Sequence, residues 1–127
     1  MSALSNYLEN KLLDHALGTA SYTMPTVYLA LYTSDPTDAD TGTEVSGGGY
    51  ARQAVSFNAA SGGSASNSSD ITFPQATADW GTITHIGLRD ASTGGNRLWY
   101  GALDVAKTIN NGDTFEISAG DLVVTLD

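Results

Sequence analysis

The chain has 127 residues, which is room for one domain with one hydrophobic core. Five lysines and arginines stand against fourteen aspartates and glutamates, and the formal net charge of −9 repels phosphate backbones and anionic lipid headgroups, so nucleic acid and membranes are poor partners. Cysteine is absent, which excludes disulfide bonds and thiolate metal sites.

The first predicted element is an amphipathic helix over about residues 3–17. Leu4, Leu8 and Leu12 recur every four residues, which places them on one helical face. Ser2 is a suitable N-cap for this helix. A helix of this length is marginal alone, so we expect its leucines to dock on the chain's own sheet, in a partner's groove, or on a second copy.

After Pro25 the pattern changes to that of short strands. Runs rich in β-branched and aromatic residues, bounded by turn residues, predict strands at Thr26–Thr33, Tyr50–Phe57, Asp70–Phe73, Thr82–Asp90, Leu98–Asp104, Thr114–Ser118 and Leu122–Leu126. The turn Gly94-Gly95-Asn96 permits positive φ and predicts an antiparallel hairpin around it. We therefore expect a mainly β chain: a single domain over 1–127 with one N-terminal helix and an antiparallel β-sandwich or jelly-roll-like fold over about 26–127.

Two long polar segments, about 34–49 and 58–69, are predicted to be flexible loops. The first carries the best candidates for a cation site, the carboxylates of Asp35, Asp38, Asp40 and Glu44. Their spacing does not fit a calcium-binding loop of the EF-hand type, so we interpret the loop as solvated and expect no metal site. The second segment is rich in serine, alanine, glycine and asparagine, which bury little surface.

The residues that acid–base catalysis would need are few. His15 is predicted near the end of the helix and His85 within a strand, where a histidine more often has a structural hydrogen bond than a catalytic role. No serine lies in a Gly-x-Ser-x-Gly motif, and Gly47-Gly48-Gly49 lacks the lysine of a phosphate-binding loop. We expect no enzymatic activity and no cofactor.

Aromatic residues are the stronger candidates for contacts. Trp80, Trp99 and Tyr100 could form a stacking platform for sugars or an oligomer interface. Leu98–Asp104 has apolar side chains on both faces, as in a strand that is covered on two sides. The predicted partner-binding residues are Leu4, Leu8, Leu12, Trp80, Trp99 and Tyr100.

Several segments resemble a family of small tailed-bacteriophage proteins that are commonly labelled phage tail fibre or virion structural proteins. They are Ala30–Thr37 (ALYTSDPT), Glu44–Phe57 (EVSGGGYARQAVSF), Thr72–Gly81 (TFPQATADWG), Arg97–Leu103 (RLWYGAL) and Lys107–Leu126 (KTINNGDTFEISAGDLVVTL). The resemblance covers nearly the whole chain. It implies structural roles for Gly47–Arg52 and Trp80-Gly81, with glycines for backbone conformation and aromatic rings for packing.

The resemblance implies a non-enzymatic structural protein of a phage particle, tail-fibre-like or tail-associated, that acts by protein–protein contacts. Its partners would be other virion proteins of the tail or capsid and further copies of itself, and it would be made in the host cytoplasm and carried in the virion. One alternative is a capsid decoration (cement) protein on the head surface. Another is a receptor- or carbohydrate-binding module that recognises a host-surface glycan.

Overall fold

The computed structural model describes residues 3–126. Within them the chain is mainly β, with antiparallel sheets and one helix, as predicted. The elements are β1 (Ala3–Leu4), α1 (Asn6–Ala16), β2 (Tyr28–Tyr32), β3 (Gln53–Ala54), β4 (Ser64–Ser66), β5 (Ile71–Thr72), β6 (Gly81–Arg89), β7 (Arg97–Ile109), β8 (Glu116–Ile117) and β9 (Val123–Thr125). Each predicted strand overlaps one of these. Five are shorter than the sequence pattern indicates, whereas β7 is longer and continues to Ile109.

The strands form one large sheet and two small ladders. The large sheet is antiparallel, in the order β1-β7-β6-β2-β3, and the ladders are β4–β9 and β5–β8. The predicted hairpin lies at the centre of the large sheet, with β6 and β7 paired on either side of the glycine turn. The pairing is irregular at two places. Leu88 pairs with Trp99 whereas Arg89 pairs with Arg97, and Ile83 pairs with Lys107 whereas His85 pairs with Ala102. Residues 103–106 of β7 therefore form a bulge.

One face of the large sheet meets the two ladders and forms the hydrophobic core, as in a sandwich. An aromatic group lies at its centre. Tyr50 stacks on Phe73 at 6.0 Å and meets Trp80 edge-on at 5.5 Å. The Trp80 indole N–H donates to the carbonyl of Gly48 at 2.9 Å, which joins the glycine motif to the tryptophan. The packing role that the resemblance implies for these motifs agrees with this arrangement.

The opposite face of the large sheet is also covered. Tyr32 is 1% exposed and Arg97 is 1% exposed, and both lie beside Gly87, where a Cβ atom would come within 2.8 Å of the Tyr32 ring. Residues 34–49 cover this face, and their Asp40 carboxylate and Thr37 carbonyl accept hydrogen bonds from the arginines of the sheet, Arg89 and Arg97. The two-sided covering that the sequence predicts for Leu98–Asp104 is supplied within one chain in the first part of the strand, by the core on one side and by this loop and α1 on the other, whereas Ala102 and Asp104 are exposed.

The N-terminal helix begins later than predicted. Ala3 and Leu4 pair with Tyr100 and Trp99 as a strand, so the predicted start at residue 3 is wrong. Ser5 is the N-cap, and its hydroxyl accepts a hydrogen bond from a backbone N–H of the first turn at 3.2 Å. The predicted N-cap, Ser2, lies outside the described residues.

The segment 58–69 contributes to the fold more than its composition indicates. Its residues Ser64–Ser66 pair with β9. Asn67 is 1% exposed; its amide N–H₂ donates to the carbonyls of Ser69 and Ser118, and its amide oxygen accepts from the N–H of Leu122. The expectation that this segment buries almost nothing is wrong, because its Asn67 is buried and satisfies three main-chain groups, two of which lie near the C-terminal end of the chain.

Candidate interaction surfaces

Of the three leucines predicted to contact a partner, one is covered completely by the chain itself. Leu8 is 1% exposed, whereas Leu4 and Leu12 are half-buried. Leu4 lies in β1 and does not share a helical face with the other two. The structure therefore uses Leu8 to hold α1 against β7, and a contact of these leucines with a partner stays a prediction.

The three predicted aromatic residues are not brought together. Trp80 is 5% exposed and belongs to the core. Trp99 packs against the core face of the sheet, and its indole N–H is buried without a partner among the described residues. Tyr100 points to the other face, where its ring lies 4.4 Å from the guanidinium of Arg97. The three rings do not form one platform on which a sugar could stack.

The helix presents other apolar side chains to solvent. Leu13 is 57% exposed and Leu17 is 75% exposed, and their spacing of four residues places them on one side of the helix end. Met24, in the segment that follows, is 90% exposed. We name Leu13, Leu17 and Met24 the exposed apolar residues of the N-terminal segment. Exposed large apolar side chains of this kind are typical of contact surfaces when they cluster.

Asp40 attaches the loop over residues 34–49 to the sheet. Its carboxylate lies 3.0 Å from Arg89 Nη1 and 3.2 Å from Arg97 Nη1, and these arginine side chains are 10% and 0% exposed. Arg89 Nη1 also donates to the Tyr32 hydroxyl at 2.9 Å, and Arg97 donates to the carbonyl of Thr37. Burial lowers the pKa of Arg97 and Asp40 opposes that effect. The Asp40 side chain is 34% exposed, as expected of a solvated loop group, but it also pairs with two buried arginines, which the sequence did not indicate.

Glu44 makes a second attachment. It accepts two hydrogen bonds from Arg52, at 2.7 and 2.8 Å, and one from the Tyr50 hydroxyl at 2.6 Å. Arg52 Nη1 continues to the carbonyls of Ala91 and Gly94 in the β6–β7 turn, both at 2.8 Å. Burial alone would raise the pKa of Glu44, but the hydrogen bonds from Arg52 and Tyr50 outweigh it and lower that pKa.

The other two carboxylates of the loop have local partners. Asp35 accepts a hydrogen bond from the N–H of Thr37 at 2.9 Å, and Asp38 accepts one from the Tyr100 hydroxyl. The bond to Asp38 raises the pKa of Tyr100 to about 12. Among residues 3–126, no group of three or more histidine or carboxylate side chains is placed to hold a metal ion.

The two histidines have separate structural partners. His15 Nδ1 accepts a hydrogen bond from the N–H of Tyr22 at 3.0 Å, which ties the end of α1 to the following segment. His85 Nδ1 shares a hydrogen bond with the hydroxyl of Thr84 at 2.8 Å.

Within residues 3–126, no helix is long and apolar enough to cross a bilayer.

A groove of about 540 Å³ runs between the bulged part of β7 and the C-terminal strands. We name it the β7 groove. It is lined by Ile86, Ala102, Leu103, Asp104, Val105, Lys107, Phe115, Glu116, Ile117, Ser118, Asp121, Leu122 and Val123. Sequence reasoning did not find it, because it is formed by segments far apart in the chain. The one available cue was the apolar Val105, which lies just past the predicted end of the strand at Asp104.

Comparison with models of protein families gives a match to Gp80, described as podophage GP4 fiber I protein gp80, over residues 3–125. The match covers both the helix and all the strands. A search of the curated proteins gives no match.

Proposed function

The chain belongs to the family of podophage GP4 fiber I protein gp80. On that basis we propose that it is a structural component of phage tail fibres. We propose that it acts without catalysis, through contacts with other virion proteins and with further copies of itself. The observation that carries this proposal is the family match over residues 3–125, nearly the whole chain. It agrees with the resemblance that the sequence motifs indicate.

The arginines of this chain serve its own stability, whereas exposed apolar side chains are available for contacts with other chains. All three arginines lie in internal ion pairs with Asp40 or Glu44, so they stabilise the chain's own loop. The exposed apolar residues of the N-terminal segment remain available for contact with a further copy. A fibre made of several copies multiplies such small surfaces by symmetry.

Two alternatives differ in what supports them. A capsid decoration protein would need the same kind of protein–protein contacts, and only its position on the particle separates it from a fibre protein. A carbohydrate-binding module would need a stacking surface, and Trp80, Trp99 and Tyr100 do not form one. We therefore propose the fibre role, and a position on the capsid surface is the alternative that the experiment must distinguish from it.

Immunogold electron microscopy of intact particles tests the proposal. With antibodies raised against the purified chain, we expect gold at the tail fibres. Antibodies adsorbed beforehand with the purified chain are the control and should leave the particles unlabelled. Gold over the head surface would contradict the proposal and favour the capsid decoration alternative.

A further inference from the structure

The β7 groove has an apolar floor and an apolar rim. Phe115 and Leu122 are each at most 5% exposed and belong to the core, whereas Val105 is 71% exposed and Val123 is 41% exposed. The two valines come from segments on opposite sides of the groove. A chain lying between them would cover both and remove apolar surface from water.

The strand beside the groove has a free edge. On the side away from β6, β7 is paired only with β1, and only at Trp99 and Tyr100. Among the described residues, no strand pairs with that side of β7 from Gly101 to Ile109. Free backbone groups on a strand edge bind extended segments by strand addition. The bulge and Lys107 discourage indiscriminate pairing along this edge, so an occupant must also fit the groove.

The charges around the groove select among occupants. Asp104, Glu116 and Asp121 line it against one cation, Lys107. A second copy of the chain has few basic side chains to meet these carboxylates, since it holds only five lysines and arginines and its three arginines are paired internally. A segment that carries lysine or arginine beside apolar side chains is complementary to it.

We propose that the β7 groove binds an extended segment of another virion protein, one that alternates apolar and basic side chains. This inference rests on the proposed function, because it names the partner through which the fibre protein is attached. The apolar side chains fill the space between Val105 and Val123, and the basic side chains face the three carboxylates. The backbone of the segment bonds to the free edge of β7.

The test uses the purified full chain and a blocked eight-residue peptide of alternating lysine and valine, followed by amide chemical shifts. We expect saturable shifts confined to residues 101–107 and 116–123. A peptide of alternating glutamate and valine should bind at least about tenfold more weakly, since it reverses the charge match. Because the chain is tested alone, a failure here leaves the immunogold result, and with it the proposed function, unaffected.

Two substitutions separate groove binding from general attraction to an acidic protein. Val105→Lys and Met24→Lys each add one ammonium group at an exposed apolar position, inside and outside the groove respectively. We expect V105K to weaken binding of the lysine–valine peptide at least about tenfold, because it removes an apolar contact and repels the lysines, and M24K to leave the affinity unchanged. Equal affinities for the two variants, shifts spread over the whole surface, or no binding would overturn the proposal. The backbone spectra of both variants verify that they fold.

Discussion

At the scale of single residues, Asp40 combines a charge role with an unusual backbone conformation. Its φ of 58° lies in the left-handed region, which asparagine tolerates but alanine does not. We expect Asp40→Asn to lower the free energy of unfolding by about 2 kcal/mol, because Arg89 and Arg97 lose the charge they share. Urea denaturation measures this loss.

The matched control for that change is Asp104→Asn, which removes the same charge from an exposed position in β7. It should change the unfolding free energy by less than about 0.5 kcal/mol. Equal effects for the two variants would mean that the ion pairs of Asp40 with Arg89 and Arg97 do not stabilise the fold.

Two glycines with the same backbone conformation separate strain from packing. Gly48 and Gly62 both have φ of 61°, but a Cβ at Gly48 would come within 2.9 Å of Trp80 Nε1, whereas a Cβ at Gly62 would have open space. We expect Gly62→Ala to cost about 1 kcal/mol through backbone strain. Gly48→Ala should cost about 1–3 kcal/mol more, because the Trp80 ring must move. Thermal or urea unfolding measures the loss of stability in each variant. The same loss in both would contradict the packing of Gly48 against Trp80.

At the scale of elements, α1 depends on one side chain. Leu8 is the residue of this helix that is buried, at 1% exposure. We expect Leu8→Ala to cost about 2–5 kcal/mol, the usual loss for a buried leucine. Amide hydrogen exchange should then show faster exchange in α1 than in β6 and β7, since the helix loses its main contact with the sheet. Asn10→Ala, at an exposed position of the same helix outside the proposed contact, is the control and should not make α1 exchange faster.

The loop over 34–49 makes stability depend on pH through Glu44. Its pKa in the folded chain lies below the ordinary value of 4.5, so its contribution is fully present above that value and is lost as the pH falls through the folded pKa. We expect Glu44→Gln to be less stable than the natural chain at pH 7 by about 1–2 kcal/mol and the difference to shrink below about pH 4. Urea midpoints across pH measure it. Glu9→Gln, on the exposed side of α1, should show no such closing difference.

The same loop marks the limit of what the sequence predicts. The hairpin of β6 and β7 follows from local signals, alternating apolar residues and a turn that permits positive φ, and it is confirmed. The pairs of Asp40 with Arg97 and of Arg52 with the β6–β7 turn join residues about 40–60 positions apart. From the sequence, such carboxylates can be recognised only as polar loop residues. Their partners are distant in the chain, so nothing in the local sequence identifies them. The asparagine at 67 was missed for the same reason.

At the scale of the whole molecule, the proposed self-association rests on the exposed apolar residues of the N-terminal segment. We expect the natural chain to have a mass in solution that is a multiple of 13.2 kDa. Leu13→Asp should shift it to the monomer, because a carboxylate replaces an apolar side chain in the contact. Size-exclusion chromatography with light scattering measures both. Asn10→Asp adds the same charge to another exposed position of α1 and should leave the assembly intact; a monomeric natural chain would contradict the proposal.

The two tryptophans lie in different surroundings and can serve as two intrinsic fluorescence probes. Trp80 is enclosed by the aromatic core, whereas Trp99 lies on β7 near the groove. In a Trp99→Phe background, emission comes from Trp80 and follows the loss of core packing. Subtracting that spectrum from the emission of the natural chain leaves the signal of Trp99, which senses its own surroundings. Unfolding and local events at β7 can therefore be separated by comparing the intrinsic fluorescence of these two proteins, without attaching a dye.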